Sequence, residues 1–210
     1  MPSIDRARAW YVDADPIHAF DHVLRVLALA ERIGKAEGAD LEILRAAVLL
    51  HDVSGSFPAG GRTGHHRSSA EFAREVLQQE GWPQDRIAAV MHCIRAHRFR
   101  DRSEPPATLE AQILFEADKL DVLGAIGAAR TIGYSALDGQ PAYAEPSERF
   151  RATGEEEPGE PHSAYHEFLF KLSRVKDLMQ TPTAKALAEA RHAYLAEFFD
   201  RLGAEARGER

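Results

Sequence analysis

The sequence predicts an all-α protein, a single-domain helical bundle with essentially no sheet. Apolar residues recur at three- and four-residue steps through most of the chain, and no segment shows the sustained apolar–polar alternation of a half-buried strand. Hydrophobic residues make up 44% of the 210 residues and charged residues 28%, which is typical of a globular domain. A chain of this length can bury a real core.

Residues that favour the start or end of a helix divide the first half of the chain. They predict four helices that start at Asp15-Pro16, Asp40, Ser68 or Ser69, and Pro83. The first helix is expected to end near Gly34. The stretch between the second and third helices is rich in Gly, Ser and Pro, so we expect a loop there, with His65 and His66 in it.

The second half predicts further helices around one long polar segment. A fifth helix starts at Thr108, and a sixth runs through GAIGAAR, whose small residues allow close packing. About two dozen residues rich in Pro, Gly and Glu then predict an exposed, mobile loop. The expected ranges are 138–163 for this loop, 162–180 and 182–203 for the last two helices, 15–203 for the core and 1–210 for the domain.

Charge and cysteine content exclude several classes of protein. The formal net charge of −7 argues against a broad nucleic-acid-binding face, so no polymeric nucleic acid is expected as a partner. The apolar run AAVLL is too short to cross a bilayer, and the first residues have no apolar signal-peptide core. Cys93 is the single cysteine; we expect it to be buried and the protein to be cytoplasmic.

The adjacent residues His51 and Asp52 follow an apolar helix, LRAAVLL. A carboxylate at the end of a buried helix is costly without a partner. Adjacent side chains project about 100° apart on a helix, so an imidazole and a carboxylate can converge on one ion. This pair of ligand types suits Mn, Fe, Co, Ni, Zn or Mg. Alternatively, His51 caps the helix C-terminus and Asp52 begins a turn.

Two more polar residues stand near apolar helical faces. His22 lies among apolar neighbours in HVLRV, and Asp118 follows the apolar run ILF. Each has an alternative explanation, as a core histidine or as a carboxylate paired with Arg25 or Lys119. One divalent metal ion would explain His22, the His51-Asp52 pair and Asp118 together.

The order His, His-Asp, Asp on successive helices resembles the HD-domain superfamily of metal-dependent phosphohydrolases. The run EADKLDVLGAIGAAR and the C-terminal HEFLFKL and LMQTPTAKALAEAR are similar to a bacterial branch of small single-domain HD hydrolases, which includes enzymes resembling nucleotide pyrophosphatases. The resemblance covers roughly residues 15–203. It implies metal ligation by His22, His51, Asp52 and Asp118. It also implies that a metal-activated water attacks phosphorus in a nucleotide or another small phosphorylated molecule.

The chain departs from some HD nucleotidases directly after the doublet. Those proteins have an acidic residue there, whereas this chain has Val53, Ser54, Gly55 and Ser56. The catalytic base is therefore sought among His66, His97, Lys119 and Asp121. Family members with two metals add histidines between the doublet and the final Asp, and His66 and His97 are placed to do so. One metal with phosphate-binding histidines is equally compatible.

Phosphoryl chemistry also needs cations or donors for the phosphate oxygens. The substrate-binding candidates are Arg25, His65, His92 and Arg130. Several candidates also have a purely structural explanation that involves no role in binding or catalysis. These are an ion pair of Arg25 with Asp21, a structural salt bridge for Arg130, and a solvated surface position for Lys119 and Asp121.

Other functions stay open for the same residues. One is a regulatory module that binds a metal or nucleotide without turnover, which the missing acid favours. Another is an HD-type di-iron oxygenase, and a third is a purely structural helical protein. A homodimer is a further expectation, with Phe198, Phe199 and Leu202 as candidates for its contact or for the core.

Overall fold

The structure, a computed structural model, describes residues 1–11, 20–56, 64–98 and 104–210. These residues contain helices and turns but no strand, which confirms the all-α prediction. They form two compact units, Met1–Asp118 and Lys119–Arg210. That residues 1–210 make a single domain stays a prediction.

The helices of the described residues divide between the two units. In the first unit they are α1 (Ile4–Arg8), α2 (Phe20–Glu37), α3 (Leu41–Leu50), α4 (His65–Gln79), α5 (Gln84–Ala96) and most of α6 (Leu109–Leu120). In the second unit they are α7 (Gly124–Leu137), α8 (Glu148–Thr153), α9 (Ala164–Phe170) and α10 (Pro182–Ala206). None of the helices that the structure describes is both long and apolar enough to span a bilayer.

Helix α3 forms the centre of the first unit, where it packs against α2, α4 and α5. Its start is as predicted, because the Asp40 carboxylate accepts hydrogen bonds from the backbone N–H groups of Glu42 and Ile43 at 2.9 and 3.1 Å. This N-cap satisfies two donors that the first helical turn leaves open. Leu44 and the run from Ala46 to Leu50 are buried.

The predicted end of α2 near Gly34 is wrong. The helix continues to Glu37, and Gly38 follows with a φ of 80°. Gly34 instead allows α3 to approach: a Cβ at this position would lie 2.8 Å from Leu44 Cδ2 and 2.9 Å from Leu41 Cδ2. The start predicted at Asp15-Pro16 lies outside the described residues.

The predicted start of the third helix at Ser68 or Ser69 is also wrong. Helix α4 already begins at His65, after Gly64 with a φ of 87°. Ser69 does not cap α4: its hydroxyl accepts a hydrogen bond from the Ser54 N–H at 3.1 Å, in the 3₁₀ turn Val53–Ser56. His65 and His66 are therefore part of a helix rather than of a loop.

In the second unit, α7 packs against α10 and α9. The helix predicted over 162–180 is correct only as far as Phe170, where α9 ends and a 3₁₀ segment, Leu172–Leu178, follows. The Ser173 hydroxyl donates to the Leu169 carbonyl at 2.8 Å, and this competes with the regular helical hydrogen bond. Three-residue spacing then buries Leu172 and Val175 together.

The segment predicted to be a loop at 138–163 contains the short helix α8. Glu160 organises its second half, since its carboxylate accepts hydrogen bonds from the N–H and hydroxyl of Ser147 and from the Glu157 N–H, each at 2.7 Å. The mobility of this segment stays a prediction.

Candidate metal centre

His51 directly follows the last residue of α3 and is fully buried, with 0% of its surface exposed. Its Nδ1 lies 2.7 Å from the Val48 carbonyl oxygen. A carbonyl only accepts, so Nδ1 donates and the neutral ring has its lone pair on Nε2. Nε2 is buried and has no hydrogen-bond partner among the described residues. A buried lone pair without a partner is suited to a metal ion.

The protonation of His51 is determined mainly by burial. Loss of hydration lowers its pKa to about 4, although the charges of Asp52 and Asp118 act in the opposite direction. The imidazole is therefore neutral at pH 7, which is the form that ligates metals.

His97 repeats this arrangement at the end of α5. Its Nδ1 donates to the Ile94 carbonyl at 2.5 Å, so the neutral ring also has its lone pair on Nε2. That atom lies 3.5 Å from Asp52 Oδ1. A lone pair and a carboxylate oxygen at this distance repel each other unless a cation lies between them, or a proton charges the ring.

Asp52 is the carboxylate on which these histidines converge. Its Oδ1 lies 3.1 Å from His65 Nε2, and its Oδ2 lies 4.0 Å from His51 Nε2. Burial opposes the charge of Asp52, yet the neighbouring His51, His65 and His97 hold its pKa well below the usual range. Asp52 is therefore anionic at neutral pH.

His22 and Asp118 form the other side of the cluster. His22 is buried on α2, and its Nε2 lies 3.3 Å from Asp118 Oδ1 on α6. The centroids of the His22 and His51 rings are 5.6 Å apart.

Among the residues that the structure describes, two sets of three potential ligands share His51. In each set, one ligand atom per residue lies within 4.8 Å of the others; the sets are His22, His51 and Asp118, and His51, Asp52 and His97. Metal–ligand bonds of about 2.0–2.2 Å place two ligand atoms up to about 4.4 Å apart. The cluster therefore fits a divalent ion after small side-chain movements.

Other predicted site residues of the first unit have different surroundings. His66 is buried, with its ring centroid 5.8 Å from that of His65, and its proposed role in catalysis stays a prediction. His92 donates from Nδ1 to Glu104 at 2.7 Å, and its Nε2 accepts from the Ala107 N–H at 3.0 Å. Arg25 pairs with Asp21 at 2.5 Å.

Three predicted site residues belong to the second unit. Lys119 is at its first position, and Asp121 is buried. Asp121 forms an ion pair with Arg130, which corresponds to the alternative of a salt bridge for Arg130.

Tyr11 contacts the centre and was not predicted from the sequence. It is 5% exposed, and its hydroxyl donates to the Leu49 carbonyl at 3.2 Å. An aromatic residue outside any periodic helical segment has no pattern that would indicate this contact. The role of Tyr11 is visible only in the folded structure, because its partner Leu49 lies 38 residues further along the chain.

Comparison with known proteins identifies the family. A family model described as the HD domain matches residues 19–123, which include the four predicted metal ligands. The chain belongs to the HD-domain family. The resemblance found in the sequence is thereby confirmed, and the protein has the fold of the HD-superfamily hydrolases with a His/Asp cluster that could hold a metal.

Several bacterial proteins match nearly the whole chain. YpgQ, an uncharacterised protein of Bacillus subtilis (strain 168), is 32% identical over 210 residues, which cover 96% of this chain and 93% of YpgQ. The crystal structure of YpgQ in complex with ADP covers 97% of both chains, with 30% identity and a TM-score of 0.73. An HD-superfamily hydrolase from Bacillus thuringiensis is 26% identical, covers 97% of this chain and 96% of its own, and has a TM-score of 0.70.

Proposed function

We propose that this HD-domain protein is a metal-dependent phosphohydrolase that acts on a nucleotide or another small phosphorylated molecule. One observation supports it above the others: the buried Nε2 of His51, without a hydrogen-bond partner among the described residues, faces the anionic Asp52. A lone pair and a carboxylate that are buried together are suited to a cation. The membership of the HD-domain family indicates the class of chemistry.

His22, His51, Asp52 and Asp118 would hold the ion. When bound, a divalent metal would lower the pKa of a water molecule and neutralise charge on a phosphoryl oxygen. His51 and His97 are oriented for ligation because backbone carbonyls hold their Nδ1–H groups. His65 and His97 both approach Asp52, which suits either a second ion or histidines that bind phosphate.

Proton transfer and substrate binding would use the remaining candidates. His66, His97, Lys119 and Asp121 are the proposed sources and acceptors of protons, and Arg25, His65, His92 and Arg130 are the proposed phosphate-binding residues. A nucleotide is the favoured substrate class, because YpgQ, similar over nearly its whole length, has been crystallised with ADP.

A phosphate- and pyrophosphate-release screen over nucleotides and phosphate esters tests this proposal, with Mn²⁺, Mg²⁺, Co²⁺ and Ni²⁺ assayed separately. We expect the wild type to be active with at least one metal. His51→Ala and Asp52→Ala should lose metal content and turnover together. His162→Ala is the matched control, since His162 lies in the second unit and pairs with Glu156 at 2.5 Å.

Wild-type metal content and turnover in either site variant would contradict the proposal. Tight metal or nucleotide binding by the wild type, with no hydrolysis under any condition, would support a regulatory module instead.

A further inference from the structure

We infer that Tyr11 is a positioning residue of the metal centre, because it connects the end of α3, next to His51 and Asp52, with the start of α2, next to His22. The inference rests on the proposed metal site and not on the reaction that the site performs. Two contacts of Tyr11 support it, one from its hydroxyl and one from its ring.

The hydroxyl of Tyr11 contacts the last turn of α3. Carbonyl groups in a last helical turn have no intrahelical partner, and the Tyr11 hydroxyl donates to one of them, that of Leu49, at 3.2 Å. Leu49 lies two residues before His51. Because Tyr11 and Leu49 are buried, water cannot readily replace this hydrogen bond, and the hydroxyl determines where the last turn of α3 lies.

The ring of Tyr11 contacts the first residue of α2. The ring centroids of Tyr11 and Phe20 are 5.3 Å apart, and Phe20 lies two residues before His22. The Arg8 guanidinium lies 4.7 Å from the centroid of the Phe20 ring, and the Tyr11 N–H donates to the Arg8 carbonyl at 3.2 Å. Phe20 is thus held by two side chains from the end of α1 and just beyond it.

Tyr11 thus contacts the backbone next to His51 and Asp52, and it also contacts the first residue of the helix that contains His22.

The expected effect follows from the precision that a metal site needs. Loss of an outer partner that orients a ligand commonly weakens metal affinity by about 10- to 100-fold. Tyr11 orients its ligands through the backbone, so we expect about the lower limit, a tenfold loss, for Tyr11→Phe. This variant retains the ring against Phe20 and removes only the hydroxyl.

The test is a titration of the apo protein with Co²⁺, in which the dissociation constant and the visible absorption spectrum of the bound ion are measured. Thr131→Val is the matched control, because the Thr131 hydroxyl is also buried and donates to a backbone carbonyl, that of Gly127, at 2.8 Å in the second unit. All titrations are made well below the unfolding temperature of each variant.

We expect Tyr11→Phe to bind Co²⁺ about tenfold more weakly with an altered spectrum, while Thr131→Val matches the wild type in both. An affinity within twofold of the wild type with the same spectrum overturns the inference. An equal loss in Thr131→Val also overturns it, since the effect would then be one of general stability. Absence of Co²⁺ binding by the wild type overturns it together with the metal site. Absence of phosphate release alone contradicts only the proposed function, because the titration uses no substrate.

Discussion

Burial governs the chemistry of Cys93. Cys93 lies on α5, and its side chain has no exposed surface, as predicted from the sequence. Burial raises the pKa of its thiol to about 12, so only about one molecule in ten thousand has the thiolate at pH 8. We expect no reaction of the native protein with Ellman's reagent at pH 8, and one thiol per chain in urea. Fast stoichiometric modification of the native protein would contradict this.

Because of Glu160, the stability of the second unit should change with pH in the acidic range. Hydrogen bonds from the Ser147 and Glu157 N–H groups, the Ser147 hydroxyl and His166 lower its pKa to about 2. A carboxylate with a lowered pKa stabilises the folded state fully above its unfolded pKa, near 4.5, and this stabilisation is lost as the pH falls towards 2.

Glu160→Gln should therefore unfold at a lower urea concentration than the wild type at pH 6, and this difference should shrink as the pH is lowered from 5 to 2.5. Glu157→Gln is the control, because the Glu157 contact to Glu160 is made by its backbone N–H and not by its side chain. A difference between wild type and Glu160→Gln that is constant over this pH range would refute the assigned role.

At the scale of helices, two glycines allow other groups to lie unusually close to the helix, and the two differ in which groups these are. A Cβ on Gly34 meets leucine methyl groups, whereas a Cβ on Gly127 would lie 2.2 Å from the backbone oxygen of Val122. Methyl groups can rotate away, and alanine favours a helix over glycine by about 0.5–1 kcal/mol. The backbone of Val122 can move only if the start of α7 also moves.

We expect Gly127→Ala to lower the free energy of unfolding by about 3 kcal/mol and Gly34→Ala to change it by less than about 1 kcal/mol. Urea denaturation of both variants beside the wild type measures the two changes. Equal losses of unfolding free energy in the two variants, or a larger loss in Gly34→Ala, would contradict the prediction. The close approach of Val122 would then not be what makes a side chain at Gly127 unfavourable.

Helix boundaries were predictable where a side chain caps the helix. Asp40 caps α3 and Thr181 caps α10 by local hydrogen bonds, which a sequence pattern can indicate. Ser69, in contrast, resembles a cap but bonds to Ser54, 15 residues away. The start of α4 depends instead on the positive φ of Gly64, which composition alone does not distinguish from an ordinary loop glycine.

In the candidate metal centre too, residues with a local sequence signal were predictable, and residues that depend on a distant contact were not. His22, the His51-Asp52 pair and Asp118 were predictable because polar residues on apolar helical faces need a common partner, and the structure brings their side chains together. The contact of His65 with Asp52 depends on where α4 begins, since the first residue of the helix determines the direction in which each of its side chains projects. Tyr11 depends on a tertiary contact with Leu49, and no local pattern indicates it.

At the scale of the whole molecule, all four proposed metal ligands lie in the unit Met1–Asp118. A ligand that binds only the folded state stabilises it by about 2.7 kcal/mol at a hundred times its dissociation constant. We therefore expect a divalent metal to slow hydrogen exchange of backbone amides most strongly at the ends of α3 and α5, which place His51 and His97. Amides of α8 and α9 should change much less, since no proposed ligand lies on them.

Hydrogen–deuterium exchange with mass spectrometry, with and without Mn²⁺, measures this distribution, and His51→Ala is the control that should lose the protection throughout. Protection confined to α8 and α9 would place the metal outside the proposed centre. Equal protection in both units would show instead that the two unfold as one cooperative body, so that metal binding near α3 also stabilises the segment around Glu160. The exchange pattern thus also tests the prediction that residues 1–210 form a single domain.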